Sequence, residues 1–297
     1  MKRCRLAQVT KPLPTLLSSR RPSVNSDFRH SPNRLYGWIR ISAGEALDRD
    51  RQAWWESMFA AFALFKPNVI ESRTEPLNRR KVLARYCRLR EISKRHHAEV
   101  LKFISKDAIL HHARRLGLAR GKTLILDDMD EMNYAFDLAI HTASAGRSRA
   151  IDRYAKSTQL VSGSDEMFVL DAMRAASFSV LCIERRHEIA GLIATDIFRR
   201  TEVWLVDIGL EGSVPDGSLI ATRLYAPERF AMTAGVNVPL DPDIVDDLAA
   251  ELPRHLREKP LAAIIDDRRF AETIYRVALA DGIMERIKYQ DPPDDIR

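Results

Sequence analysis

The sequence predicts an α+β protein with basic N-terminal helices, a helical connector, a five-stranded small antiparallel barrel and a C-terminal helical pair. Three observations predict this class. Apolar residues recur with helical spacing before residue 177, five short β-branched and aromatic runs follow, and the helical period returns after residue 240. The predicted regions are a flexible basic arm (1–44), a basic helical region (45–122), a helical connector (123–176), an SH3-like or OB-like barrel (177–240), and C-terminal helices with a tail (241–297).

Length and composition are those of a globular chain: 297 residues, of which 45% are hydrophobic and 30% charged. No apolar run approaches the ~20 residues that span a membrane, so we predict no membrane partner. The three cysteines, Cys4, Cys87 and Cys182, are odd in number and far apart, which favours a reducing compartment and predicts a cytoplasmic protein. The Arg- and Ser-rich first forty residues leave a transit peptide open as an alternative.

Charge divides the chain into two halves. Residues 1–122 carry 27 Lys and Arg against 10 Asp and Glu, a net of +17, whereas residues 123–297 carry 20 against 31, a net of −11. This asymmetry indicates either that the basic half meets an anionic partner or that the two halves face each other. The sequence does not choose between these interpretations.

The basic region begins with an amphipathic pattern over residues 46–65. Trp55, Met58, Phe62 and Phe65 fall on one face of a helix, and such large side chains need a cover. We expect this face to pack on the following helices. The alternative is a partner-binding helix, including a homo-oligomer formed through Trp55 and Phe62.

A long basic helix is predicted over residues 76–104, and a shorter one follows with Ser105 as its N-cap. Val82, Leu83, Tyr86 and Leu89 gather on one side of the long helix, and cations gather roughly opposite. A basic helix can lie along phosphates and release their counterions. The candidate nucleic-acid-binding residues are therefore Lys81, Arg85, Arg88, Arg95, Arg114 and Arg115.

The stretch "GLARGKTLILDDMDE", residues 117–131, resembles a nucleotide-binding loop but fails its requirements. Gly117 and Gly121 enclose three residues where a P-loop has four, and a helix precedes the loop where a strand is needed. We therefore predict that Gly117 ends a helix in a left-handed conformation, that a turn follows at Gly121, and that Asp127 or Asp128 caps the next helix. No cofactor is predicted.

Five strand-like runs lie between residues 177 and 240, separated by short turn-like links. Five short strands in so few residues favour a closed barrel, because closure removes exposed edges. Trp204, Arg223 and Tyr225 could stack nucleic-acid bases on such a surface, although Trp204 fits a core position better. The next segments predict two helices and a loose tail.

Metal and catalytic patterns are weak. The pairs His96–His97 and His111–His112 each offer at most one ring to a given site, because adjacent helical residues point about 100° apart. No metal ligands are therefore assigned. Cys182 lies in an apolar run, where a thiol stays neutral. No catalytic residue is predicted.

The segments "GKTLILDDMDEMNYAFDLAI", "AIDRYAKST", "GSDEMFVLDAM", "VWLVDIGL" and "RFAMTAGVNVPL" together resemble a family of uncharacterised bacterial proteins. Its members share an acidic D-E-M segment, a D-R-Y helix and a β-rich unit, and the resemblance covers roughly residues 105–240. It implies bacterial origin and a helix-plus-barrel architecture, and it implies no activity.

These observations favour a non-enzymatic binding or adaptor protein that contacts nucleic acid through residues 79–122. The alternative is a protein–protein interaction module whose basic half docks on an acidic surface, either its own or a partner's. A hydrolase with an unrecognised site is the third hypothesis.

Overall fold

Ten α-helices and nine β-strands make up the described part of the computed structural model, which comprises residues 6–9, 78–143, 146–283 and 287–290. The helices are α1 (Arg79–Val100), α2 (Lys106–Arg115), α3 (Met132–His141), α4 (Ala150–Ser157), α5 (Asp165–Arg174), α6 (Ile208–Ser213), α7 (Pro242–Glu251), α8 (Arg254–Arg257), α9 (Leu261–Ile265) and α10 (Arg268–Asp281). The strands are β1 (Leu6–Val9), β2 (Ala119–Arg120), β3 (Thr123–Leu124), β4 (Ser177–Arg186), β5 (Leu192–Asp196), β6 (Thr201–Leu205), β7 (Leu219–Tyr225), β8 (Met232–Leu240) and β9 (Ile287–Gln290).

The predicted α+β class and its five strands are confirmed. The strands form an antiparallel sheet in the order β6-β5-β4-β7-β8. A closed barrel is not what forms, since β6 and β8 are the sheet edges. Among the described residues they are joined by one parallel bridge between Leu205 and Ala231. Closure was predicted as the way to protect the edges. The sheet stays open, and helices bury one of its faces.

Helices cover one face of this sheet. Phe178 and Val180 of β4 and Ala221 of β7 pack against apolar residues of α3, α7 and α10. The opposite face buries Leu181 and Ile220 in a second cluster, which also includes residues of α6. Residues 178–183 of β4 are all buried, because successive side chains of a strand point to opposite faces and both faces of this strand are covered.

Helix α1 begins later than its predicted start. Asn78 is its N-cap, and the Asn78 side-chain oxygen accepts a hydrogen bond of 2.9 Å from the Lys81 backbone N–H. The buried face carries Val82, Tyr86 and Leu89 as predicted, and the helix packs on α4 and α5. This buried face makes α1 part of a core that also includes residues of α4, α5 and β8.

The "GLARGKT" stretch forms a helix end and a hairpin. Gly117 follows α2 with a φ of +85°, and Gly121 occupies the β2–β3 turn with a φ of +63°. Ser105 caps α2 as predicted, and Asp128 accepts a hydrogen bond of 3.0 Å from the Asp130 N–H in the short 3₁₀ turn before α3. Glycine suits both turns because it has no Cβ to oppose a positive φ.

The arm predicted over residues 1–44 and the Trp55/Phe62 helix lie outside the described residues, apart from β1. That strand pairs antiparallel with β9 near the other end of the chain. Within the described ranges, no helix combines the length and the apolar character needed to cross a membrane.

A β-bulge lies where β7 pairs with β8. The register shifts between Thr222 and Leu224 of β7, and Gly235 on β8 has a φ of +131°. The extra residues are on β8, where residues 234–236 lie opposite the single residue Arg223 of β7. Bulges often adjoin functional sites.

Candidate functional site

Arg85 is the most firmly held of the six predicted nucleic-acid-binding residues. Its guanidinium makes two hydrogen bonds of 2.7 Å to the Asp165 carboxylate of α5, and its Nε donates at 2.7 Å to Glu228. The hydrogen bonds from Arg85 also hold the pKa of Asp165 below its usual range. Arg85 is therefore engaged with carboxylates of the acidic half.

Arg88 and Arg95 lie further out on α1. Their side chains are 67% and 68% exposed, yet Arg88 lies 2.6 Å from Asp165 and Arg95 lies 3.3 Å from Glu166. Lys81 is exposed on the first turn of the same helix. These three cations follow one another at seven-residue spacing, which returns to nearly the same face of an α-helix.

The two predicted residues on α2 have different contacts. Arg115 Nη2 lies 2.5 Å from Glu272 of α10, and that hydrogen-bonded carboxylate raises the pKa of Arg115. Arg114 is exposed and donates through Nε to the Leu110 carbonyl at 3.0 Å. The candidate residues are thus distributed over two helices and contact different partners.

Arg90 is held in a network that the sequence did not indicate. It donates at 2.7 Å to Asp207 Oδ2, at 3.0 Å to Thr233 Oγ1 and at 3.2 Å to Tyr86 Oη. Asp207 in turn caps α6 by accepting from the Gly209 N–H at 3.0 Å. This network ties α1 to the start of β8 and to the turn after β6.

A second buried network surrounds Arg223 of β7, which lies opposite the β-bulge of β8. Its Nε and Nη2 each donate at 2.9 Å to the Asp137 carboxylate of α3, and Tyr275 of α10 donates at 2.9 Å to the same group. The Arg223 guanidinium also lies 5.6 Å from the ring centroid of Phe178. A planar guanidinium with two parallel hydrogen bonds is a strong form of ion pair.

Burial shapes the titration of this network. It would raise the pKa of Asp137, but the charge and hydrogen bonds of Arg223 outweigh it and leave that pKa below the ordinary value. Burial, with Asp137 nearby, raises the pKa of Tyr275 well above its usual range. Asp137 is therefore ionised and Tyr275 neutral at pH 7. Shifted groups of this kind cluster at functional sites, although structural ion pairs shift pKa values too.

His141 lies one helical turn after Asp137, at the end of α3. It is 6% exposed, and neither of its buried ring nitrogens has a hydrogen-bond partner among the described residues. Burial, then the charge of Arg223, lowers its pKa well below the usual value. We name Asp137, His141, Arg223 and Tyr275 the α3–β7 cluster.

The two adjacent histidines of α1 point to different surroundings, as helix geometry predicts. The His96 ring pairs with the Tyr154 hydroxyl at 2.8 Å and the Glu166 carbonyl at 2.9 Å. His97 lies 3.1 Å from the Ser93 carbonyl, and burial, then Arg90, lowers its pKa to about 4. Among the described residues, no group of three or more His, Cys, Asp or Glu side chains could hold a metal ion.

The proposed base-stacking surface of the sheet needs correction. Arg223 and Tyr225 are 7% and 2% exposed, so neither ring nor guanidinium is offered to a ligand in this conformation. Trp204 stacks on His187 at 4.2 Å and donates its indole N–H to the Ala190 carbonyl at 2.8 Å. Cys182 is buried, and burial raises the pKa of its thiol to about 12.

The α3–β7 cluster escaped sequence reasoning because its members are far apart in the chain: Arg223 follows Asp137 by 86 positions. A signal was present nonetheless. Asp137 interrupts "AFDLAI" and Arg223 interrupts "IATRLY", and a charge within an apolar run predicts a buried partner of opposite sign.

Comparison with protein families gives one match. The model of a family of unknown function, DUF7986, matches residues 80–287, which include every helix of the described part and the whole five-stranded sheet. No curated protein and no solved structure matches the chain.

Proposed function

The chain belongs to the DUF7986 family of unknown function, and we propose that it is a non-enzymatic protein–protein interaction module whose basic half docks on an acidic surface. The first such surface is its own second half. The observation that carries this proposal is the set of ion pairs from the basic half to the acidic half: Arg79–Glu211, Arg85–Asp165, Arg85–Glu228, Arg88–Asp165, Arg90–Asp207, Arg95–Glu166 and Arg115–Glu272.

These ion pairs weaken the attraction of the basic half for a phosphate. A carboxylate neutralises the charge of each paired arginine, and at about 0.1 M salt the electrostatic field of an exposed charge is screened beyond ~10 Å. A phosphate would have to displace Asp165 from two arginines at once, because that carboxylate contacts both Arg85 and Arg88. Six of the fourteen lysines and arginines between residues 78 and 122 are therefore paired with carboxylates of the acidic half.

The test compares two carboxylates on the same helix. Asp165→Asn removes the carboxylate of α5 that pairs with Arg85 and Arg88 of α1. Asp171→Asn removes a carboxylate that pairs with Arg174 within α5 and leaves the contacts to α1 in place. We expect hydrogen exchange of α1 amides to accelerate in Asp165→Asn and to stay unchanged in Asp171→Asn. Equal protection of α1 in both variants would contradict the docking proposal.

Nucleic acid remains the second candidate, because Arg88 and Arg95 keep about two thirds of their side-chain surface exposed. Its test is anisotropy of labelled DNA and RNA with the full chain at low salt. The leading proposal expects no binding. Binding that falls steeply with salt would overturn it, provided that Lys81→Ala/Arg88→Ala/Arg95→Ala flattens the slope and the charge-matched Arg185→Ala/Arg254→Ala/Arg276→Ala does not.

A further inference from the structure

The segment that runs from the end of β3 to the start of α3 exposes apolar side chains. Among the large apolar side chains that are exposed in the described part, Leu124, Ile125 and Met129 lie within this one short stretch. Ile125 is 56% exposed and Met129 is 72% exposed, whereas Leu126 packs against the core. Single exposed apolar residues are common, but several in one segment mark an interaction surface. We name residues 124–131 the β3–α3 surface.

Carboxylates without a cationic partner share this surface. The four acids that follow Ile125 are Asp127, Asp128, Asp130 and Glu131, and none of them forms an ion pair with a described residue. Asp128 accepts a hydrogen bond from the Asp130 N–H, and Glu131 accepts one from the Asp127 N–H, each at 3.0 Å. Those bonds are to backbone amides and leave the negative charges uncompensated. The surface therefore combines apolar side chains with a net negative charge.

Residues 29–40, "RHSPNRLYGWIR", have the complementary chemistry and lie outside the described residues, within the predicted basic arm. The segment has arginines, large apolar residues and no acid: Arg29, Arg34, Arg40, Leu35, Tyr36, Trp38 and Ile39. Cations opposite carboxylates fix the register of a contact, and apolar side chains opposite apolar side chains remove surface from water. This segment therefore matches the β3–α3 surface in charge and in apolar character.

We propose that residues 29–40 dock on the β3–α3 surface of the same chain. The segment is tethered on both sides, at Val9 of β1 and at Asn78, the N-cap of α1. The chain between Val9 and Arg29 can extend over about 60 Å, whereas a folded unit of about 200 residues has a radius of gyration of about 17 Å. Reach is therefore no obstacle. Tethering gives a local concentration on the order of 1 mM, which favours this segment over a second copy in dilute solution.

This inference rests on the proposed function, because it gives the basic half another acidic surface on its own molecule. The contact does not involve the ion pairs of α1 with Asp165. Hydrogen exchange of α1 in Asp165→Asn tests those ion pairs alone, so either proposal can fail while the other stands.

Photo-crosslinking in the full chain tests the contact. p-Benzoylphenylalanine replaces Ile125 in the test protein and replaces Val161, which is exposed before α5, in the control. A mixture of isotopically light and heavy chains distinguishes crosslinks within one chain from crosslinks between two chains. Mass spectrometry should place the crosslinks from position 125 in residues 29–40 of the same chain, and those from position 161 elsewhere.

Charge variants measure the electrostatic part of the contact. Asp127→Asn/Asp130→Asn should weaken docking by about fivefold, as expected for the loss of two exposed ion pairs, and should lower the crosslink yield from position 125. Raising the salt concentration should lower that yield as well. The charge-matched control, Asp216→Asn/Asp247→Asn, changes two exposed acids elsewhere and should leave the yield as it is.

Crosslinks from position 125 to another segment or to a second copy would overturn the proposal, as would the absence of crosslinks within the chain. An unchanged yield in Asp127→Asn/Asp130→Asn would also overturn it. Should that variant fail to fold, the salt dependence decides. A yield that falls as salt rises supports the contact, and a yield that stays constant refutes it.

Discussion

The Arg223–Asp137 pair and the Arg95–Glu166 pair join the same two chemical groups in opposite environments. The first is enclosed between sheet and helices with a hydroxyl donor beside it, whereas the second lies on the outer surface of α1 at 3.3 Å. Water and salt screen the outer pair, so it contributes little to folding. The inner pair has no water to replace a missing partner, so its two members depend on each other. Depth, more than charge, decides what an arginine does in this protein.

The largest effect is expected from Arg223→Met, which leaves the Asp137 carboxylate buried beside Tyr275 without its cation. We expect a loss of about 3–5 kcal/mol in the free energy of unfolding, measured by chemical denaturation. Adding Asp137→Leu should recover much of that loss, because no uncompensated charge remains. A single variant that costs under about 1 kcal/mol would show that the pair is not buried in solution.

Arg90→Met tests the network that joins α1 to the sheet. Asp207 and Thr233 would lose their shared donor, and we expect a cost of about 2–3 kcal/mol, typical of a buried hydrogen bond to a charged group. Chemical denaturation measures the total change in the free energy of unfolding. Hydrogen exchange should show that the amides of α1 lose the most protection. If α2 lost as much protection as α1, the effect would be general destabilisation and not loss of this contact.

Acid should unfold the protein through its buried histidines. Burial lowers the pKa of His97 to about 4 and lowers that of His141 well below the ordinary 6.5. Above pH 6.5 both imidazoles are mostly neutral in the folded and in the unfolded state, so they add no pH dependence to stability. Below it the unfolded chain binds protons first, so stability falls by up to about 1.4 kcal/mol per pH unit for each group.

Urea denaturation at several pH values from 7 to 4.5 measures how the free energy of unfolding changes with pH. His97→Gln should reduce this slope by the contribution of one proton, up to about 1.4 kcal/mol per pH unit. An unchanged slope in His97→Gln would mean that its ring titrates normally in the folded state.

The smallest effect is expected on the surface. Arg95→Ala removes an exposed pair and should change the free energy of unfolding by under about 0.5 kcal/mol, less still at high salt. Denaturation at low and high salt measures it. A cost near that of Arg90→Met would mean that α1 is covered by part of the chain or by a second copy.

Much of the fold could be predicted because its signals are local. Ser105 as an N-cap, Gly117 as a left-handed helix end and the five strands follow from backbone preferences of a few neighbouring residues. The closed barrel did not follow, since closure depends on whether β6 and β8 meet along their length. One bridge at Leu205 is what the described residues show there.

The candidate site was less accessible to sequence reasoning. Helical spacing placed Lys81, Arg88 and Arg95 on an outer face, and their exposure agrees with that placement. The same spacing grouped Arg85 with them, yet Arg85 is held by Asp165 and Glu228, which lie 80 and 143 residues away. Helical periodicity predicts the direction in which a side chain leaves the helix axis. It does not predict which residues of other elements lie against that side chain.

The sequence by itself determined the α+β class, the five strands of the sheet, the cap at Ser105 and the left-handed helix end at Gly117. Each of these depends on residue types that are close together in the chain. The predicted C-terminal pair of helices is wrong in detail, since four helices lie between residues 242 and 281. Only the tertiary structure decided which arginines meet carboxylates, that the sheet stays open, and that His141 ends buried beside Arg223. Those outcomes depend on strand register, on the bulge where β8 pairs with β7 and on helix packing, all of which join residues distant in the chain.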